Sequence, residues 1–151
     1  MRIVSMNVRS RNVVFSSLMI LVFFLMTCVA LPSCTSKKEQ ALEHLKMGRQ
    51  KFYSNDMKGA LEELNQSIEL NRESEEAFYL RGNAQMNLRE YAAAMEDFNE
   101  CLKLNPNYAD AWVNRGNVKF IQGDRNGACQ DWTKAKELGK ENIEERLMNC
   151  N

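Results

Sequence analysis

The side chains that could do chemistry in this chain are few: one histidine, His44, and five cysteines. Hydrolases and metalloenzymes bring several acid–base or ligand groups together at close spacing. A zinc site built from His44, Cys101, Cys129 and Cys150 lacks that spacing. The sequence also contains no phosphate-binding loop, no nucleophile elbow and no paired-carboxylate motif. We therefore predict no catalytic residue, no metal, no cofactor and no small-molecule substrate.

The charge balance argues against a nucleic-acid partner. Basic and acidic residues both total 20, and three of the basic ones are arginines within residues 1–33, which hold no acid. Subtracting those 3 leaves 17 basic against 20 acidic residues, a formal charge of −3 for the rest of the chain. Binding to phosphates draws on clustered Lys and Arg, so a mildly acidic body disfavours it.

The N-terminus has the order of an export signal. Residues 1–12 are polar and basic, and Val13–Leu31 is an almost unbroken apolar run that ends in Leu31-Pro32-Ser33-Cys34. These four residues resemble the lipobox of bacterial lipoproteins. The resemblance implies that residues 1–33 are a signal peptide, that Cys34 carries the lipid, such as palmitate, and that residues 34–40 are a tether. The expected location is the bacterial cell envelope, as an outer membrane lipoprotein.

A second reading of the same segment stays open. The apolar run is long enough to span a bilayer, so it could be retained as a transmembrane anchor with Cys34 unmodified. The basic residues before the run place the body away from the cytoplasm in both readings.

From Ala41 onward the sequence repeats every 34 residues, in windows 41–74, 75–108 and 109–142. Each window has Gly at its eighth position, Ala at its twentieth and a large apolar residue at its twenty-fourth. These residues are Gly48, Gly82 and Gly116, then Ala60, Ala94 and Ala128, then Leu64, Phe98 and Trp132. The pattern resembles the tetratricopeptide repeat, which has the same period.

The physical reason for this pattern is a close crossing of two helices in each window. Gly and Ala leave room for the helix backbones to approach, and the large residues fill the space beside the crossing. Turn-forming pairs fall in mid-window, and Pro106 marks a boundary between windows because it cannot continue a helix interior. We predict an all-α fold of three helical hairpins stacked as a right-handed superhelix.

The residues after Gly139 predict a capping helix over 140–151. Ile143, Leu147 and Cys150 share one face of that helix and would cover the last apolar surface of the stack. Given the hairpin that the resemblance implies, Cys129 lies ten residues before its turn at Gly139 and Cys150 ten residues after Lys140. We therefore predict a Cys129–Cys150 disulfide, which export would permit. The alternative is a pair of buried thiols.

The resemblance also implies a recognition surface. The first helix of each repeat would line a concave groove through positions five, nine and twelve of the window. These positions are Leu45, Arg49, Phe52, Tyr79, Asn83, Met86, Val113, Asn117 and Phe120. The two asparagines could bond a peptide backbone. A second interpretation is that the apolar members only pack within the superhelix.

Some family members bind acidic C-termini through a clamp of Lys, Asn and Arg. The matching positions here are Leu45, Arg49, Leu80, Asp110 and Asn114, so that clamp is not carried over. The expected function is a protein–protein interaction module in an envelope complex, with a peptide or helix in the groove. A passive structural or spacer lipoprotein is the competing class.

Overall fold

The computed structural model describes residues 36–148 and Cys150, which form helices and no strand. The helices are α1 (Lys37–Tyr53), α2 (Met57–Leu70), α3 (Glu75–Asn87), α4 (Tyr91–Leu104), α5 (Ala109–Ile121), α6 (Arg125–Glu137) and α7 (Glu144–Met148). The predicted signal peptide and Cys34 lie outside the described residues. Within the part described, no helix has both the length and the apolar character needed to cross a membrane.

The helices form three hairpins, one in each 34-residue window, and the predicted all-α fold of stacked hairpins is confirmed. We call α1, α3 and α5 the A helices and α2, α4 and α6 the B helices. Each A helix packs on the B helix that follows it. Successive A helices also contact one another, whereas successive B helices do not. The A helices therefore lie on the inner, concave side of the stack.

The close crossings within the hairpins are where the sequence places them. A Cβ built on Gly48 would lie 2.7 Å from Leu64 Cγ, and one on Gly82 would lie 2.8 Å from Phe98 Cε1. A Cβ on Gly116 would lie 2.6 Å from Trp132 Nε1. Real Cβ contacts are longer than this, so any larger residue at these glycines would push the two helices apart.

The turn inside each hairpin is built the same way. Its middle residue has a left-handed backbone, with φ values of 66° at Asn55, 63° at Arg89 and 90° at Gly123. Asp56 and Asp124 follow two of these residues and accept a hydrogen bond from a backbone N–H in the first turn of the next helix. The turn therefore ends one helix and begins the next within three residues.

The structure differs from the sequence-based expectation at both ends of the body. Helix α1 begins at Lys37, inside the predicted tether 34–40, because Ser36 and Glu39 form a reciprocal capping box. The predicted capping helix over 140–151 is helical only from Glu144 to Met148. Gly139 and Asn142 have positive φ values of 85° and 58°, so the backbone cannot run on as a helix through that stretch.

Candidate functional site

The C-terminal segment packs on the last hairpin through Ile143 and Leu147. Ile143 is 1% exposed and lies in a cluster with Trp132 and Val113, against which Leu147 also packs. Ile143, which precedes α7, therefore makes most of the predicted covering of the last apolar surface. The short helix packs on α6, and its Arg146 reaches α5 through a hydrogen bond to Asn117.

Cys150 of this segment lies at bonding distance from Cys129 on α6. Their sulfur atoms are 2.09 Å apart and their Cα atoms 5.6 Å apart. Cys101 is the free cysteine of the described residues; it is fully buried, and burial raises the pKa of its thiol to about 12. A thiol in that state is a poor nucleophile, so Cys101 acts as a packed core residue.

We expect the oxidised protein, denatured without reductant, to leave Cys129 and Cys150 unreactive towards an alkylating agent, while Cys101 reacts. Peptide mapping after alkylation locates the modified residues. Reduction should expose both cysteines and lower the free energy of unfolding by about 3 kcal/mol, the chain-entropy value for a loop of this length. Alkylation of Cys129 and Cys150 before reduction would show that the bond is absent.

The position-five residues of the predicted groove contribute mostly to packing. Leu45 and Val113 are 6% and 7% exposed and lie in the core of their hairpins. Tyr79 is half-buried, with its ring centroid 4.8 Å from that of Tyr108. Leu45 and Val113 therefore offer little surface to a ligand, and Tyr79 offers one edge.

The position-nine residues form a series of contacts between successive helices of the concave side. Arg49 on α1 bonds Glu76 on α3 at 3.0 Å. Asn83 on α3 accepts a hydrogen bond of 2.7 Å from Asn114 on α5. Asn117 on α5 accepts one of 3.1 Å from Arg146 Nε on α7. We call these three pairs the position-nine contacts.

These contacts change the role expected for the two asparagines. The side-chain oxygen atoms of Asn83 and Asn117 already accept hydrogen bonds within the protein, and Asn83 is buried. Asn117 also donates to Asn114 at 3.4 Å, which joins the second contact to the third. The amides therefore tie α3, α5 and α7 together across the concave face, and a ligand would meet this connected surface.

The position-twelve residues lie beside an exposed apolar surface. Phe52, Met86 and Phe120 are half-buried. The next residues on α1 and α5, Tyr53 and Ile121, are 76% and 54% exposed. We call these five residues the apolar strip, which follows the C-terminal ends of the three A helices. Position thirteen was not predicted as part of the site, although Tyr53 and Ile121 stand two 34-residue periods apart, with the exposed Asn87 at the same position of α3.

A second repeated contact, which was not predicted from the sequence, holds the hairpins to one another. Arg81 donates two hydrogen bonds to Asp97, at 2.7 and 2.6 Å, and one to Asn65 on the preceding B helix at 2.7 Å. One window later, Arg115 repeats this geometry with Asp131 and Asn99, at 2.8 Å for each bond. Each arginine thus joins the B helices of two successive repeats.

Burial governs the electrostatics of these contacts. Asp97 is 3% exposed, and burial raises the pKa of its carboxyl, while the hydrogen bonds from Arg81 act to lower it. The guanidinium groups also stack on aromatic rings of their own repeats. Arg81 lies 5.6 Å from the ring centroid of Phe78, and Arg115 lies 4.5 Å from that of Trp112.

The first repeat forms a comparable contact with different residues. Glu63 stands where Asp97 and Asp131 stand in the later windows, and it meets His44 Nδ1 and Lys51 Nζ, both at 2.9 Å. The hydrogen bond with His44, followed by the one with Lys51, lowers the pKa of Glu63. His44, the one histidine, therefore has a structural partner.

The lowered pKa of Glu63 predicts an acid-dependent loss of stability. Its contribution is fully present above the ordinary value of 4.5 and is lost as the pH falls through the lowered value of the folded state. We expect the denaturation midpoint of Glu63→Gln to fall less than that of the wild type as the pH is lowered through this range. Guanidinium titrations of both proteins at several pH values measure this difference. Parallel curves would show that Glu63 contributes nothing to it.

No group of three or more His, Cys, Asp or Glu side chains in the described part of the chain is arranged to hold a metal ion.

Comparison with known proteins identifies the class of this fold. The profile of the tetratricopeptide repeat family matches residues 75–108, the second window. No curated protein matches the chain. Residues 75–108 are thus a tetratricopeptide repeat, and the hairpins on either side have the same helical arrangement.

Solved structures show the same fold at low sequence identity. The Arabidopsis OM64 TPR domain has a TM-score of 0.72, with 18% identity over 76% of this chain and 99% of that one. The first TPR of Spaghetti (RPAP3), bound to HSP90 peptide SRMEEVD, has a TM-score of 0.71 and 21% identity over 74% and 90%. MamA protein has a TM-score of 0.68 and 26% identity over 71% and 60%.

Proposed function

We propose that this protein binds a peptide or helix of a partner protein on the concave face of its three hairpins. The observation that carries the proposal is the apolar strip, in which Tyr53 and Ile121 are largely exposed at the C-terminal ends of α1 and α5. The strip runs beside the position-nine contacts, so an apolar surface and a polar surface lie next to each other. A bound segment would place apolar side chains on the strip and polar groups on the amides.

The similar structures support peptide binding as the class of function. The RPAP3 domain described above holds a peptide of HSP90, and the second TPR domain of human RPAP3 holds an HSP70 peptide. The ligands of these proteins are not thereby ligands of this chain. Leu45, Leu80 and Asp110 occupy three of the five clamp positions, so an acidic C-terminus would need other partners here.

We further propose that the body is held at a membrane of the cell envelope through a lipid on Cys34. The support is the order of basic residues, apolar run and Cys34 in the sequence. Mass spectrometry of the exported protein should find residues 1–33 removed and Cys34 acylated. A protein that keeps residues 1–33 would instead carry a transmembrane anchor, and the binding proposal would stand unchanged.

Capture of partners from solubilised membranes tests the binding proposal. We expect the double variant Tyr53→Glu, Ile121→Glu to lose the captured partner, because two carboxylates on the apolar strip would have to be desolvated on binding. Both side chains are exposed, so the fold should be retained. Leu104→Glu is the matched control, because Leu104 is 38% exposed at the end of a B helix.

Equal capture by the double variant and the wild type would contradict the proposal. A protein that captures no partner in either form would match the competing class, a passive spacer on a lipid anchor. Circular dichroism of each variant confirms that the helices remain.

A further inference from the structure

The three position-nine contacts differ in charge from one end of the stack to the other. Glu76 balances Arg49 in the first contact, and two neutral amides form the second. The third contact joins the guanidinium of Arg146 to the neutral oxygen of Asn117. The concave face therefore ends, at the third repeat, in a contact that carries a positive charge.

The position of Arg146 is set by the C-terminal segment on both sides of it. Ile143, three residues before it, is buried against the last hairpin. Cys150, four residues after it, is bonded to Cys129 on α6. Lys140 forms an ion pair with Asp110 at the start of α5. These attachments hold a five-residue helix, which is too short to be stable alone, against α6, from where Arg146 reaches Asn117 on the concave face.

We propose that Arg146 is a specificity-determining residue of the concave face, positioned by the Cys129–Cys150 disulfide, and that it selects peptides with a carboxylate at the third-repeat end. This inference rests on the proposed function and names the chemistry of the ligand. A guanidinium fixed by one hydrogen bond through Nε directs its other nitrogen atoms to one side, the geometry in which arginine binds a carboxylate.

The position of Arg146 explains how an acidic ligand could be chosen without the family's clamp. Arg146 lies outside the three repeats, so a comparison of repeat positions does not find it. The apolar strip would bind the body of the peptide, and Arg146 would fix its direction and its register. A carboxylate from a side chain or from a C-terminus would satisfy the same contact.

Selection from a peptide library tests this inference. The full-length protein in detergent is used to select binders from a random dodecamer library, with each pool sequenced. We expect the wild type to select apolar residues together with Asp or Glu at one fixed position, or at the C-terminus. Replacing that residue by Gln, or amidating that terminus, in a synthetic consensus peptide should weaken binding about ten-fold, the effect of losing one charge-assisted hydrogen bond.

Variants separate a recognition role from a structural one. Arg146→Gln should lose the acidic preference and keep the apolar one, and Arg146→Lys should keep part of the acidic preference. Cys150→Ser should weaken the preference, because the segment loses one attachment. Arg72→Gln, at an exposed arginine between α2 and α3, is the matched control and should select the wild-type consensus.

The outcomes distinguish this inference from the proposed function. A consensus without an acidic position, or an acidic preference that survives Arg146→Gln, would overturn the inference and leave peptide binding standing. An acidic preference unchanged in Cys150→Ser would overturn the positioning role of the disulfide. Failure to select any consensus would overturn both proposals.

Discussion

Replacing Phe98 by alanine is expected to lower the free energy of unfolding by about 3–5 kcal/mol, the usual range for a buried phenylalanine. Phe98 is fully buried in the second hairpin, where it fills the space beside Gly82 and lies near the ring of Tyr79. Small domains are stable by only about 5–15 kcal/mol, so this loss is a large part of the total. Guanidinium denaturation followed by circular dichroism measures it.

Tyr53→Ala is the control for this prediction, because it also removes an aromatic ring from the chain but from a side chain that is 76% exposed. Its effect should be within about 0.5 kcal/mol. Similar losses for Phe98→Ala and Tyr53→Ala would mean that Phe98 does not occupy the centre of the second hairpin.

Replacing Asp131 by alanine should cost about 3 kcal/mol. Asp131 is 2% exposed and accepts hydrogen bonds from Arg115, with Lys119 at 2.9 Å. Its removal leaves two cations without their counter-charge in a mostly buried site, and breaking such a pair costs about 3–5 kcal/mol. The lower end applies because the side chains of Arg115 and Lys119 are 16% and 21% exposed.

Two further variants test this explanation. Glu100→Ala breaks the exposed pair with Lys103 and should change stability by less than about 1 kcal/mol. The double variant Arg115→Ala, Asp131→Ala should lose much less free energy of unfolding than the sum of the two single losses, because each single change removes the same contact. Strictly additive effects would show that Arg115 and Asp131 do not act as a pair.

The sequence predicts the hairpins well because their spacing has a simple physical cause. Only Gly fits opposite Leu64, Phe98 and Trp132, so the period of these pairs fixes where helices cross. Ile143 covers the last hairpin from a position before α7, not from the helix face predicted for it. The ends of the body were harder to predict, because a capping box at Ser36 extends α1 and positive φ values shorten the last helix.

The candidate site is less predictable because its contacts cross between repeats. A position in the window indicates which face a residue occupies, but it does not give the residue's partner on the next helix. Asn83 and Asn117 lie on the predicted face, yet their oxygen atoms are bonded by Asn114 and Arg146. Arg81 and Arg115 stand at the same position of two windows, and only their geometry with the aspartates shows why both windows carry arginine.

Photo-crosslinking in the native membrane tests the central claim, that the concave face binds a partner protein. A photoreactive phenylalanine analogue replaces Tyr53, Ile121 or Leu104, one at a time, and the adducts are identified by mass spectrometry. We predict that positions 53 and 121, on the first and third A helices, give the same partner, and that position 104 does not. Adducts of equal yield from position 104, or none from positions 53 and 121, would contradict it.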